Sequence, residues 1–283
     1  MLQLAINILV TASNMLLLAV SFMLIYRAVK FFHFAHGIIF AWGAFFAYMF
    51  YKMLNLPIAL AIPLAILAAG LSGVLIEIII YQPMRKKGST GLVLLLASLG
   101  LYTVLQNVIS MSFHDSTKSI HSGQISNVQF AGVYITTAQI IALISSVVLV
   151  AFVGLFLQKN KFGITLRAVS NSTYLAKISG ISVSKTYIVA FAIGSTLASI
   201  AGILVAYDVD MTPTMGMSPL MMAVVVMIIG GTNRISGIII ASALLSVLLH
   251  IGTWYIGMQW QEAIVFGGLV VFLLFRPKQL LAK

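Results

Sequence analysis

Residues 4–26 read LAINILVTASNMLLLAVSFMLIY, a run with no charged side chain. A helix rises about 1.5 Å per residue, so about 20 apolar residues cross the hydrocarbon layer of a membrane. This run is long enough. No basic residue precedes it, and it outlasts the apolar core of a secretory leader. It is therefore expected to be a retained first span.

Working outward, eight further apolar runs follow: 35–51, 56–81, 92–111, 137–157, 186–207, 219–229, 236–254 and 261–275. The second and seventh runs of the nine are short. Each reads as a tilted span, a half-helix or a re-entrant segment. The expected fold is a single all-α domain over residues 1–283, a polytopic membrane bundle of eight or nine transmembrane helices.

Composition agrees. The chain has 283 residues, of which 61% are hydrophobic and 7% charged, with a mean hydropathy of +1.11. An ordinary soluble domain carries about 25% charged residues. The formal net charge of +11 would suggest nucleic acid in a soluble protein. Here it follows the excess of Lys and Arg in cytoplasmic loops, so no nucleic-acid partner is expected. The absence of cysteine removes disulfides and thiolate chemistry.

The basic residues also orient the chain. Arg85, Lys86 and Lys87 lie between the third and fourth runs, which makes that loop cytoplasmic. Alternation of nine spans then puts 14 of the 16 Lys and Arg inside, leaving Lys52 and Lys118 outside with Asp115, Asp208 and Asp210. The expected placement is a bacterial cytoplasmic (inner) membrane, N-terminus outside and C-terminus cytoplasmic.

Two soluble segments are long. Residues 112–136 read as an ordinary external loop. Residues 158–185 fall inside, and there Phe162, Leu166 and Val169, then Leu175 and Ile178, recur at helical spacing. Gly163 and Gly180 bracket the segment, and Asn171 and Ser172 are placed to break or recap it. One or two short amphipathic helices are expected, packed on the bundle or on lipid, or docked in a groove of a soluble subunit.

These residues resemble a known family. Gly163-x-x-x-Arg167-Ala168-x-x-Asn171, followed by Ala176-x-x-x-Gly180-Ile181, is similar to the coupling loop in permeases (H type) of branched-chain amino-acid ABC transporters. Phe34-Ala35-His36-Gly37 and Trp42-Gly43-Ala44 look like that family's first signature. Gly230-Gly231, Gly237 and Arg276-Pro277 match its later motifs in order. His33 stands where Asn is usual, and Thr232, Asn233 and Arg234 replace a Gly-Ser turn. These departures leave the substrate open, since related permeases move urea or short amides.

The resemblance implies a membrane-spanning importer subunit that is not itself an enzyme. Its partners would be a second homologous or identical permease, two cytoplasmic ATP-binding subunits and an external substrate-binding protein. Gly163, Arg167, Ala168, Asn171, Ala176, Gly180 and Ile181 would couple to the ATPase. No Gly-x-x-x-x-Gly-Lys-Ser/Thr occurs. Ser184-Lys185-Thr186 lacks the glycine, so nucleotide hydrolysis needs another chain. No cofactor or metal is expected, because His33 and His36 have no carboxylate beside them.

Candidates for the translocation path are Asn14, Phe34, His36, Gly37, Ser98 and Asn107, each weighed against the common structural role of intramembrane polar groups. Asp208 and Asp210 read as a solvated turn or as a docking point for the external protein. Glu77, Tyr81 and Arg85, at four-residue steps, share one face, where an intrahelical Glu–Arg network is expected. Gly194, Ala198 and Gly202 form a small-residue stripe for close helix packing.

Overall fold

A computed structural model describes residues 2–121, 127–130 and 133–275. Arg276 and Pro277, at the end of the sequence pattern, lie outside the described residues. The elements run in chain order as follows: α1 (Leu2–Val29), α2 (His36–Tyr48), α3 (Ile58–Ile76), α4 (Gln82–Lys86), α5 (Gly91–Phe113), an antiparallel hairpin of β1 (Asn127–Phe130) and β2 (Val133–Thr136), α6 (Thr137–Lys159), α7 (Lys161–Asn171), α8 (Thr173–Ile178), α9 (Val183–Asp208), α10 (Met217–Gly230), α11 (Ile235–Ile256) and α12 (Gln261–Phe275).

Seven helical stretches among the described residues are long and apolar enough to cross a membrane: α1, the continuous Ile58–Lys86, α5, α6, α9, α11 and Met258–Phe275. They coincide with seven of the nine apolar runs. The short second and seventh runs are α2, which continues through a π-helical turn at Met49–Met53, and α10. The hairpin was not expected, because the loop around it carries no clear strand alternation.

Helix α1 is the central column. In its most apolar stretch 72% of residues are buried, against 6% for the last span. It packs against α9, α10, α11 and α6, while α9 also packs against α2 and α3. Small side chains permit this density. A Cβ on Gly194 would meet the Ile25 side chain at 2.7 Å, and one on Gly43 would lie 2.6 Å from the Ser199 backbone. A Cβ on Gly202 would collide with the Phe40 carbonyl. The stripe of small residues on α9 therefore serves two neighbours, α1 and α2, by letting helices approach closely.

The third span is interrupted at Glu77–Tyr81 by a second π-helical turn. Such turns rotate the helix and often mark functional positions. Here the side chains of Glu77 and Tyr81 are both fully buried. Glu77 forms an ion pair with Arg85, and the Arg85 guanidinium lies 4.6 Å from the centre of the Tyr187 ring. The expected Glu77–Arg85 pairing is present, while the Tyr81 hydroxyl turns to His33 Nδ1 at 2.9 Å.

Candidate functional site: an elbow at the basic end of the bundle

Two short helices leave the bundle between α6 and α9. Asn160 starts the first, its Oδ1 accepting the Phe162 N–H at 2.9 Å. Gly163 sits so close to the end of α6 that a Cβ would collide with the Leu157 carbonyl. Only glycine allows α7 to fold back this tightly. The Arg167 Nη1 donates to the same carbonyl at 2.8 Å, satisfying an acceptor that the end of α6 would otherwise leave free. Leu166 and Val169 are buried, and α7 packs on α6, α1 and α9.

Ser172 ends α7 and starts α8, its Oγ accepting the Leu175 N–H at 3.2 Å. The far end of α8 closes in a Schellman arrangement: Ile181 N–H donates to Ala176 O at 2.9 Å and Gly180 N–H to Lys177 O at 3.0 Å, with Gly180 at φ +76°. That left-handed conformation favours glycine. The elbow is thus two short helices, each capped at its ends, that meet at Ser172.

The two apolar stripes read from the sequence have different fates. Phe162, Leu166 and Val169 pack on the bundle. Leu175 and Ile178 point away from it, 62% and 66% exposed, beside Tyr174 at 72%. Ala176 is buried on the opposite side and pins α8 in place. Around this apolar edge stand exposed Lys161, Arg167, Lys177 and Lys185. Lys30, after α1, belongs to the same basic end. Burial and then the charge of Arg27 hold its ammonium below the ordinary lysine range. Of the residues expected to couple, Gly163, Arg167, Ala176 and Gly180 shape the elbow. Ala168 and Ile181 pack against the core, and Asn171 is exposed at the joint.

The candidate path residues do not converge on one lining. Ser98 Oγ accepts the Phe34 N–H at 3.1 Å, which ties α5 to the turn before α2. His36 is fully buried, its Nε2 2.8 Å from Ser21 Oγ. Since Ser21 donates to Leu18 O at 2.7 Å, its oxygen remains to accept from His36. Beside it, His33 Nδ1 lies 2.9 Å from the Tyr81 hydroxyl. Gly37 meets Gly216, so the beginnings of α2 and α10 touch. Ser21 lies about 12 Å before the end of α1 at the helical rise, so the chain folds back into the bundle before α2 begins. Asn107 is exposed on α5 and bonds to Thr103 O of its own helix at 2.7 Å. Asn14 is half-buried on α1, its Oδ1 without a hydrogen-bond partner.

Sequence reading missed a crevice of about 220 Å³ between α2, α3 and α5, lined by Ile39, Trp42, Ser72, Leu101 and Leu105 among others. Its walls come from three separate runs, so no local pattern signals it. Asp208 has a structural task. Its carboxylate accepts from Thr136 Oγ1 at 2.8 Å and from Gln139 Nε2 at 3.3 Å. Those two residues also form the capping box of α6. Asp210 stays exposed. Among the described residues no three His, Asp or Glu gather as a metal site would need.

Comparison with known proteins covers almost the whole chain. The family model described as "Branched-chain amino acid transport system / permease component" matches residues 4–274. The high-affinity branched-chain amino acid transport system permease protein BraD of Pseudomonas aeruginosa is 26% identical over 100% of this chain and 96% of its own length. The corresponding permease protein LivH of Salmonella typhimurium is 26% identical over 96% of this chain and 92% of its own. Among solved structures, a chain of PsaBC from Streptococcus pneumoniae in complex with Fab aligns with a TM-score of 0.51 at 18% identity. That alignment covers 96% of this chain and 92% of the other, a likeness of fold.

Proposed function

The chain belongs to the branched-chain amino acid transport system permease family, and from that premise we propose that it is the membrane-spanning subunit of an ABC importer for branched-chain or related small amino acids. Membership implies ATPase and substrate-binding partners. In this reading the basic end of the bundle is cytoplasmic, which the distribution of Lys and Arg supports. A multi-pass placement in the bacterial inner membrane, with the N-terminus outside and α2 and α10 as partial or tilted crossings, follows from it.

The observation that carries the reading is the apolar edge of α8. Tyr174, Leu175 and Ile178 form an exposed patch on a helix capped at both ends. An apolar helix face projecting from a protein docks in a groove, and the ATP-binding subunits supply one. Force applied there passes to α7, which is packed on α6, α1 and α9, and so to the central column. Alternating access then consists of rocking these packed helices against a second permease copy.

Few charges interrupt the spans, which suits a path that binds its cargo weakly and leaves selection to the external protein. The crevice beside Trp42 is apolar enough to take an aliphatic side chain. Phe34, His36, Gly37 and Ser98 stand apart from its lining and tie the start of α2 to α1, α5 and α10. Asp210 remains available to basic residues of the binding protein, while Asp208 is engaged with α6.

Reconstitution tests the proposal. Liposomes holding this chain alone are expected to pass no leucine. Liposomes that also hold the second permease, the ATPase subunits and internal ATP are expected to accumulate leucine when the binding protein is added outside. Leucine flux from the chain alone contradicts the importer reading, and ATP-driven uptake of urea in preference to leucine reassigns the cargo.

A further inference from the structure

A second feature of the basic end is an open crevice of about 800 Å³ between α1, α6 and α11. Its upper walls are aliphatic, from Leu16, Val147 and Ile239, and its lower mouth carries Arg27, Arg167 and Arg234. No Asp or Glu lines it. The Nε of Arg27 is buried and meets no hydrogen-bond partner. Arg234 sits at the start of α11, a helix end with no side-chain cap and no acidic residue in its first turn. Three guanidinium groups converging without a carboxylate repel one another, and a helix N-terminus adds partial positive charge at the same mouth.

The dimensions match one leaflet. Along α1, Leu16 and Arg27 are separated by about 16 Å, close to half of the roughly 30 Å hydrocarbon thickness. The crevice opens sideways through α6 and α11, where Val147 is 63% and Ile239 44% exposed. We propose that this crevice holds an anionic phospholipid, its acyl chain along α6 and α11 and its phosphate between Arg27, Arg167 and Arg234. Basic pockets between transmembrane helices on the cytoplasmic side recognise anionic headgroups in this way. Assignment to the inner leaflet rests on the orientation proposed above; the charge and the apolar walls do not.

Arg167 also anchors the elbow, so lipid bound here touches the same residue that holds α7 against α6. Anionic lipid therefore stiffens the element that receives the ATPase's push, a role separate from cargo recognition.

Native mass spectrometry of the full chain, released from mixed micelles of phosphatidylglycerol and acyl-matched phosphatidylcholine, tests the assignment. The native chain is expected to retain one phosphatidylglycerol in preference to phosphatidylcholine. In the double variant Arg27→Gln, Arg234→Gln the preference should fall by roughly twenty-five-fold, at about fivefold per arginine. Thermal unfolding in the two lipids guards against a folding defect. Phosphatidylglycerol should raise the native midpoint and leave the variant's unchanged, while both forms unfold alike in phosphatidylcholine. Equal retention of the two lipids, or a preference that survives in the variant, overturns the proposal. So does protection by millimolar inorganic phosphate alone, which marks a small-anion site. Failure of leucine uptake would leave these lipid results untouched.

Discussion

Replacing Leu175 and Ile178 together by glutamate is expected to abolish ATP-driven uptake while the protein still folds and accumulates in the membrane. Both side chains are more than 60% exposed and touch little of their own chain, so the substitution costs the isolated protein almost nothing. In an assembled transporter each would be buried against the ATPase, worth about 1.5–3 kcal/mol per side chain. Losing both weakens docking by about 3–6 kcal/mol, a hundredfold or more in affinity, before the cost of desolvating two carboxylates. Copurification with the ATPase subunits and leucine uptake should fall together, with an unchanged unfolding midpoint for the chain alone. Arg167 is a less informative target. Its guanidinium holds the Leu157 carbonyl, so changing it disturbs the elbow as well as any contact beyond it.

The second large effect concerns the ion pair in the third span. Arg85→Met leaves Glu77, whose side chain has no exposure, as an uncompensated carboxylate. Breaking one half of such a pair costs about 3–5 kcal/mol, and here the stacking of Arg85 on Tyr187 is lost as well. The variant should unfold at a much lower temperature in detergent and accumulate poorly. Glu77→Met combined with Arg85→Met removes both charges and should recover most of the loss, since apolar replacement of a whole buried pair is often neutral or stabilising. A double variant as unstable as the single one would show that the unpaired Glu77 carboxylate is not the source of the loss.

Much of this architecture can be read from the chain because membrane spans are written locally. Each of the nine apolar runs became a helix, with ends a few residues from their expected positions. The pair of Glu77 and Arg85 was readable for the same reason: four-residue steps stay on one face even across the π-helical turn. Long-range decisions were not readable. Phe162, Leu166 and Val169 recur at helical spacing as Leu175 and Ile178 do, yet one set packs on the bundle and the other is exposed. The break at Ser172 and the tight approach of Gly163 to Leu157 decide which. Asp208 looked like a free acid because its partners, Thr136 and Gln139, are some seventy positions away. The arginine crevice draws its charges from α1, α7 and α11, three segments that no local pattern links.

The central claim is that α8 is a cytoplasmic contact for an ATPase. The chain contains no cysteine, so Ile178→Cys provides a unique label on that edge. A membrane-impermeant maleimide should leave it unlabelled in intact cells, label it in inverted vesicles, and label it far more slowly once the ATPase subunits are bound. Labelling from outside intact cells, or unchanged labelling in the assembled transporter, would contradict the account.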